Sequence, residues 1–257
     1  MTAIRHTWYM TVRHLLALKR QPWWIAISLA QPVIYLVLYG QLFSRIVELP
    51  GFHARNYITY VTPGVVIMMA LFGGGWNGMG IIMEIDAGVM DRFLVSPVSR
   101  VAIIAGRLAQ MSIIMVIQAS ILLALGFFMG ARFEGGIAGV LVLLLCGVLL
   151  GVPFGALSNA MALVIRRTES LIGASNFVLL PLTFLSPVFM ATDLMPSWIR
   201  VVSLGNPVAW SVDTARSALS AHPDWGLIGS RLLALVVLSI LSAWLATQAF
   251  RSYQRSA

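Results

Sequence analysis

A charged segment, EIDAGVMDRFLVSPVSR at residues 84–100, holds the side chains best suited to meet a soluble partner. It stands between two long apolar runs, and Pro97 disfavours helix at the residue before it. We therefore expect a short helix from about Asp86 to Val95, with the Asp86 carboxylate near its positive end. Such a helix, outside a set of membrane spans, is what a transporter needs to receive force from a motor that it does not contain. The alternative is a solvated loop whose basic residues only set the topology.

Helical spacing divides the side chains of this segment between two faces. Met90, Phe93 and Leu94, with Ala87 behind them, would form one apolar patch. The neighbouring charged side chains would point elsewhere. The pattern is typical of a helix that docks one face against another protein.

Side chains for enzyme chemistry are scarce and scattered along the chain. Its one lysine, Lys19, does not follow a GxxxxG pattern, so the chain holds no phosphate-binding loop. The four histidines stand apart, and there is no HExxH or GxSxG motif. The single cysteine, Cys146, lies in an apolar run, which excludes a disulfide framework and a thiolate metal site. The sequence predicts a chain that is not an enzyme and holds no cofactor or metal of its own.

The composition indicates a helical membrane protein. Hydrophobic residues make up 59% of the 257 residues and charged residues 10%, where a soluble domain carries about 25% charged residues. Several runs reach the roughly 20 apolar residues that cross a bilayer, and runs such as Gly139–Leu150 do not alternate as β-barrel strands do. The net charge of +8 comes from basic residues near the ends of these runs, which favours topology signals over nucleic-acid binding.

Six spans are predicted, roughly at residues 24–44, 58–83, 103–130, 136–164, 171–191 and 229–250. Thr2–Arg20 has apolar residues on one helical face, which predicts an amphipathic helix lying in the membrane interface. With the N-terminus inside, the inner segments hold eleven Arg and Lys residues and the outer segments six. This bias favours two cytoplasmic termini and one membrane domain.

The second predicted span contains a glycine-rich turn, LFGGGWNGMG. Gly74 and Gly78 have the GxxxG spacing at which helices approach each other closely. They would pack either within the chain or along a mobile seam between two subunits. Trp76 and Asn77 in the same turn could touch cargo, although a lone asparagine in a span is often only a bond between helices.

Charged residues are nearly absent from the predicted spans. Arg107 lies near the inner end of the third span, where its side chain can snorkel toward the interface. No Asp, Glu or His lies clearly at mid-membrane, which argues against a transporter driven by protons or sodium and against a channel with a charged ring. The energy for transport must then come from elsewhere.

The fifth predicted span carries Pro181 and Pro187, so we expect it to bend or to end early. Residues 191–225 follow it and are too interrupted to cross a membrane. Their apolar stretches and three tryptophans predict short helices that dip into the outer leaflet, with the indole rings at headgroup depth.

Two motifs together resemble a known family. MDRFLVSPVSR at residues 90–100 resembles the short cytoplasmic loop of ABC-2 type transport permeases, especially the daunorubicin-exporter-like branch. MPSWIRVVSLGNPVAWSVDTARSAL at residues 195–219 is similar to the stretch before the last span in that family. The matching residues of this outer motif are Pro196, Trp198, Asn206, Pro207, Asp213 and Arg216.

The resemblance implies an all-α exporter of the bacterial inner membrane, built from two six-span subunits that face each other as a homodimer. Residues 1–22 would be a connecting helix and residues 23–257 the six-span domain. Each subunit would sit on a separate cytoplasmic ABC ATPase, which would bind the ATP and Mg. Residues that couple to this ATPase would include Glu84, Asp86, Ala87, Met90, Asp91, Arg92, Phe93 and Leu94. Residues that line the seam or the cargo path would include Gly74, Trp76, Asn77, Gly78, Phe177, Pro181 and Phe184.

The family layout leaves the cargo open. An apolar seam with few charges favours hydrophobic or amphipathic molecules such as drugs or lipids. Export of a polysaccharide or lipid-linked glycan is the alternative, and it would need a wide seam with a row of aromatic rings. An intramembrane enzyme or scaffold that needs no ATPase is a third possibility.

Overall fold

A computed structural model describes residues 7–9, 11–13, 22–48, 56–89 and 100–255. These residues form helices joined by turns, and none of them lies in a strand. The helices are α1 (Pro22–Leu42), α2 (Tyr57–Gly75), α3 (Met79–Asp86), α4 (Arg100–Phe128), α5 (Gly136–Ile165), α6 (Thr168–Phe184), α7 (Ser197–Ser203), α8 (Pro207–Leu219) and α9 (Trp225–Arg255). Short 3-10 helices occupy Ser44–Glu48 and Thr192–Leu194.

Within the residues that the structure describes, four helical stretches are long and apolar enough to cross a membrane: Tyr57–Asp86, Ile103–Phe128, Gly136–Ile165 and Trp225–Gln248. The apolar part of α1, Ala26–Leu42, is shorter. Helix α6 has 17 residues, fewer than the roughly 20 that span a bilayer. It ends at Phe184, between Pro181 and Pro187 of the predicted fifth span, as the positions of these prolines predicted. The six-span topology remains a prediction, carried by four long helices and these two shorter ones.

Helix α5 is the centre of the bundle and packs against α2, α8 and α9. Glycines let it approach its neighbours at backbone distance. A Cβ on Gly139 would collide with the backbone of Ala218 on α8, and one on Gly74 would collide with the carbonyl of Gly151 on α5. Buried leucines such as Leu143 fill the space between the helices.

The second predicted span is divided into two helices. Helix α2 begins at the Asn56 cap, whose side chain accepts a hydrogen bond from the Thr59 amide, and it ends at Gly75. Three residues in a turn, Trp76–Gly78, separate it from α3. The sequence pattern predicted one continuous helix here, because apolar residues continue through the turn.

Only the beginning of the helix predicted at Asp86–Val95 falls within the described residues. Asp86 is the last residue of α3, and Val89, three residues on, is the next helical residue. Ala87 caps α3, and Gly88 turns the chain away with a φ of +64°. The predicted contact residues Met90, Asp91, Arg92, Phe93 and Leu94 lie outside the described residues. So does most of the N-terminal amphipathic helix, of which residues 7–9 and 11–13 are helical.

The segment between α6 and α9 forms short helices, as predicted for an interrupted apolar stretch. Asn206 caps α8 by accepting a hydrogen bond from the Val208 amide, and Pro207 occupies the first turn, where a missing amide proton costs nothing. The Trp198 and Trp225 side chains are mostly exposed. This exposure suits indole rings at headgroup depth.

Candidate transport groove and its two ends

A cavity of about 300 Å³ opens between α1, α2 and α6. Six of its lining side chains are aromatic, and the described lining residues include no Asp, Glu, Lys, Arg or His. The lining residues are Gln31, Tyr35, Tyr39, Met68, Phe72, Trp76, Asn176, Leu180, Thr183, Phe184 and Phe189. The cavity is therefore an uncharged, ring-lined groove of the size that holds one small molecule.

Helical spacing arranges the aromatic rings of the groove. Tyr35 and Tyr39 lie one turn apart on α1 and stack with centroids 5.4 Å apart. Phe189 presents its edge to Tyr39 at 4.9 Å. Phe72 on α2 and Trp76 in the turn after it form a second pair, with centroids 5.3 Å apart. Flat rings held in place in this way offer faces and edges on which a planar ligand can stack.

Neutral polar side chains also line the groove, and we call Gln31, Trp76 and Asn176 its polar floor. The Trp76 indole Nε1 donates a hydrogen bond to the Asn176 Oδ1 at 3.2 Å. The Gln31 Nε2 donates to the Tyr35 hydroxyl at 3.2 Å. These amide and hydroxyl groups can exchange partners with a ligand without a change of charge.

Only part of the predicted cargo path faces this groove. Trp76 and Phe184 line it. Phe177 and Pro181 lie on the exposed face of α6, where the Phe177 side chain is 81% exposed. That face is available to lipid or to a second subunit.

Gly74, Asn77 and Gly78 face α5 of the same chain. The Gly78 amide donates to the Ser158 hydroxyl at 3.0 Å, and the Asn77 Nδ2 donates to the Asn159 Oδ1 at 3.2 Å. Of the two alternatives for the GxxxG glycines, packing within the chain describes Gly74 and Gly78, which are buried against α5, while Asn77 is half-buried. A place for these residues along a seam between two subunits stays a prediction.

We name the end of the bundle that holds Glu84 the inner end, following the predicted orientation. There the Arg107 guanidinium lies 2.7 Å from the Glu84 carboxylate and also donates to the Gly80 carbonyl at 2.7 Å. Arg107 is 6% exposed, so its side chain is enclosed by the bundle and does not take the route to the interface that its position allows. Its side chain turns into the bundle because an acid and a carbonyl meet it there.

The inner ion pair also reaches the N-terminal helical residues. Arg13 lies 3.8 Å from the Glu84 carboxylate. The Thr11 hydroxyl lies 3.4 Å from the carbonyl of Gly106. Glu84 was predicted to contact an outside partner, and the structure places its carboxylate against the arginines of its own chain. Sequence reasoning missed this pair, although both residues stand at the inner ends of successive predicted spans.

The opposite, outer end is tied together by Arg216. Its guanidinium donates to the carbonyls of Tyr60 at 3.1 Å, Pro187 at 2.6 Å and Val188 at 3.0 Å. The same guanidinium lies 3.5 Å from the centre of the Tyr60 ring, a cation–π contact. Within the described residues no ion pair joins Arg216 to Asp213, three positions before it on α8, and the guanidinium bonds to the main chain instead.

Asn206 also bonds main-chain carbonyls, here at the end of α6. Its Nδ2 donates to the carbonyls of Leu182 at 2.7 Å and Leu185 at 3.0 Å, while its Oδ1 caps α8. Carbonyls at a helix end have no partner within the helix. The outer motif residues Asn206 and Arg216 therefore satisfy the main chain where α6 stops short.

Comparison with known proteins adds a family to this geometry. Residues 5–220 match the family described as ABC-2 type transporter. The daunorubicin resistance ABC transporter permease protein DrrB1 of Streptomyces coeruleorubidus is 26% identical over 98% of this chain and 85% of its own. A transport permease, ycf38, of Cyanophora paradoxa is 28% identical over 92% of this chain and 81% of its own. The inner membrane transport permease YadH of Escherichia coli (strain K12) is 24% identical over 84% of this chain and 86% of its own.

Proposed function

The chain belongs to the ABC-2 type transporter family, and from that premise we propose that it is the membrane subunit of an ATP-driven exporter. Its cargo would be hydrophobic or amphipathic molecules with a flat ring system, moved out of the cell by alternating access. The observation that carries this proposal is the uncharged groove, whose six aromatic rings surround a space of about 300 Å³.

The size of the groove separates the two cargo classes. A drug-sized ligand fills a pocket of roughly 300–1,000 Å³, which matches one ring system. A polysaccharide needs a continuous path that is long enough for several sugars at once. The row formed by Tyr35, Tyr39 and Phe189 would suit sugar stacking, and it is the one feature that favours the glycan alternative.

The energy would come from a separate cytoplasmic ABC ATPase with its ATP and Mg. The segment after α3 would dock on that ATPase, and the N-terminal helix would lie beside it. Two copies of the chain would face each other in the inner membrane, with the exposed face of α6 toward the partner or the lipid. Both termini would lie in the cytoplasm.

Reconstitution of the chain with the ATPase that copurifies from native membranes tests this function. We expect ATP-dependent accumulation of daunorubicin in inside-out vesicles. Tyr39→Ala and Phe72→Ala should each reduce uptake about tenfold, because each removes a ring that would be worth up to about 1.5 kcal/mol per contact. Ile240→Ala, on the exposed face of α9, is the matched control and should leave uptake unchanged.

Three outcomes would decide against the proposal. Uptake of a lipid-linked glycan without uptake of daunorubicin would favour the glycan exporter. Uphill transport or cleavage of a compound by the chain alone in liposomes would favour a protein that needs no ATPase. Equal losses of uptake in Tyr39→Ala and Ile240→Ala would remove the groove from the cargo path.

A further inference from the structure

The turn that divides the second span is held by a repeated pair of polar residues. Ser158 and Asn159 come from α5, and Ser175 and Asn176 come from α6. The two helices thus bring the same dipeptide, Ser-Asn, to the turn Trp76–Gly78 from two sides. Of these four residues, Asn176 lines the groove.

Each member of the two pairs bonds to a different group of the turn or of Gly75, the residue just before it. On the α5 side, the Ser158 hydroxyl and the Asn159 side chain take the two bonds already described. On the α6 side, the Ser175 hydroxyl donates to the Gly75 carbonyl at 2.9 Å. The Asn176 Oδ1 accepts the hydrogen bond from the Trp76 indole N–H. The turn is therefore bonded on both sides by uncharged groups.

The backbone of the turn explains why it needs these partners. The amides of Asn77 and Met79 bond to carbonyls three residues back, at 3.0 and 3.1 Å, so the regular helical ladder is interrupted. Backbone groups freed inside a membrane must find partners in neighbouring helices. The nearest proline in this span, Pro63, lies three turns away, so the interruption comes from the inserted side chains and the glycines.

The position of the turn joins the groove to the inner end. Trp76 and Asn176 form part of the groove floor. Helix α3, on the other side of the turn, carries Glu84 and with it the ion pair to Arg107. A change in the floor therefore acts directly on the helix that leads to the inner end.

One atom at the turn indicates that a second set of bonds is available. Asn159 is fully buried, and its Nδ2 has no hydrogen-bond partner among the described residues. A buried donor without a partner costs free energy. A rearrangement of the turn that gave this donor an acceptor would recover that cost.

We propose that the turn Trp76–Gly78 is the hinge through which a ligand in the groove changes the position of α3, with the two Ser-Asn pairs as its positioning residues. A planar ligand that carries a hydrogen-bond donor would compete with the Trp76 indole for the Asn176 oxygen. Loss of that bond releases the turn on the α6 side, and α3 moves relative to α2. The proposal rests on the proposed function for its ligand, and it also has a readout that needs no ligand.

Serine substitutions give a matched test in the reconstituted complex. The Ser175 and Ser239 hydroxyls each donate to a carbonyl of a neighbouring helix at 2.9 Å, but Ser239 bonds to Leu149, away from the turn. We expect Ser175→Ala to keep daunorubicin binding and basal ATP hydrolysis while reducing the stimulation of hydrolysis by daunorubicin about fivefold, the usual worth of one hydrogen bond. Ser239→Ala should keep the stimulation. Equal behaviour of the two variants would overturn the hinge.

A distance measurement tests the hinge without relying on ATP hydrolysis or cargo. Spin labels at Met83 on α3 and Val164 on α5, both exposed, would be placed in a Cys146→Ala background in lipid nanodiscs. We expect Ser158→Ala, which frees the Gly78 amide, to shift or broaden the label distance in the absence of ligand, and Ser239→Ala to leave it unchanged.

The outcomes separate the hinge from the function. A shifted distance supports the hinge even if daunorubicin neither binds nor moves, in which case the cargo assignment fails alone. An unchanged distance in Ser158→Ala and Ser175→Ala would overturn the hinge even if daunorubicin transport is intact. If Ser158→Ala does not fold, the milder Ser175→Ala, which leaves the Gly78 bond in place, decides the question.

Discussion

One arginine holds the helices together at each end of this bundle, and the two arginines have different partners. At the outer end, Arg216 serves three main-chain carbonyls and one aromatic ring. At the inner end, Arg107 serves one carboxylate and one carbonyl. The outer contact is a charge held by neutral groups, and the inner contact is a pair of opposite charges.

The difference teaches which end can change its bonds. Main-chain carbonyls are fixed by the backbone that carries them, so the three acceptors of Arg216 move only if α2 and the turn after α6 move as well. The Glu84 carboxylate sits on the eight-residue helix α3 and has a second arginine, Arg13, at 3.8 Å. The inner end can exchange partners, while the outer end holds the bundle together.

The largest expected effect is on the inner pair. Arg107→Met should lower the free energy of unfolding by about 3–5 kcal/mol, because it leaves the Glu84 carboxylate without its main partner. The double variant Glu84→Met, Arg107→Met should regain most of that loss, since apolar side chains of similar volume replace the pair. Chemical unfolding in detergent measures both. If the double variant is no more stable than Arg107→Met, the comparison between the two ends fails, because the loss in Arg107→Met would then not come from an unpaired Glu84 carboxylate.

The outer arginine should behave differently from the inner one. Arg216→Ala should cost about 2–3 kcal/mol, from charged hydrogen bonds lost to three carbonyls. Arg216→Lys should recover only part of this, because an ammonium cannot match the planar fork of the guanidinium. No second substitution of a side chain should rescue either variant. Rescue of Arg216→Ala by removal of an acidic residue would show that the outer end also depends on an ion pair.

Asn206→Ala should have a smaller effect, about 1–2 kcal/mol, the usual cost of a lost helix cap. It removes the cap of α8 and also the donor to the carbonyls of Leu182 and Leu185. Thermal unfolding followed by tryptophan fluorescence measures the loss. Asn206→Asp keeps the capping oxygen but not the donor, so it separates the two roles. We expect it to fall between the wild type and the alanine variant.

The smallest expected effect comes from Asp213, and it tests whether this carboxylate pairs with Arg216. Burial raises the pKa of the Asp213 carboxyl above its ordinary value, and Arg216 and Arg231 lower it in part. Ionisation of Asp213 therefore costs stability above its folded pKa, and the cost is absent below its unfolded pKa. Asp213→Asn should be slightly more stable than the wild type at about pH 8 and equal to it at about pH 3. If Asp213→Asn is less stable than the wild type at the higher pH, the Asp213 carboxylate stabilises the fold through its interaction with Arg216.

Residue types and periodicity were enough to predict the helical membrane architecture. Long apolar runs must become helices in lipid, so α2, α4, α5 and α9 fall close to their predicted positions. The early end of α6 followed from Pro181 and Pro187, because a proline removes a backbone donor. These are properties of single segments, and they do not depend on what lies beside the segment.

Features that depend on two distant segments could not be predicted in the same way. The break at Trp76–Gly78 arises from serine and asparagine side chains of α5 and α6, which no local pattern places near it. The groove needed the relative rotation of α1, α2 and α6, so Trp76 and Phe184 were predicted but Tyr35, Tyr39 and Phe189 were missed. The burial of Arg107 depends on Glu84 lying beside it, which separation along the chain concealed.

The outer clasp of Arg216 also has a consequence for how the chain is made. Its acceptors lie on α2 and after α6, yet the arginine itself is on α8. During synthesis α8 follows α2 and α6, so those carbonyls have no guanidinium to bond until residue 216 has been made. A chain truncated before residue 207 would therefore lack all three of these hydrogen bonds.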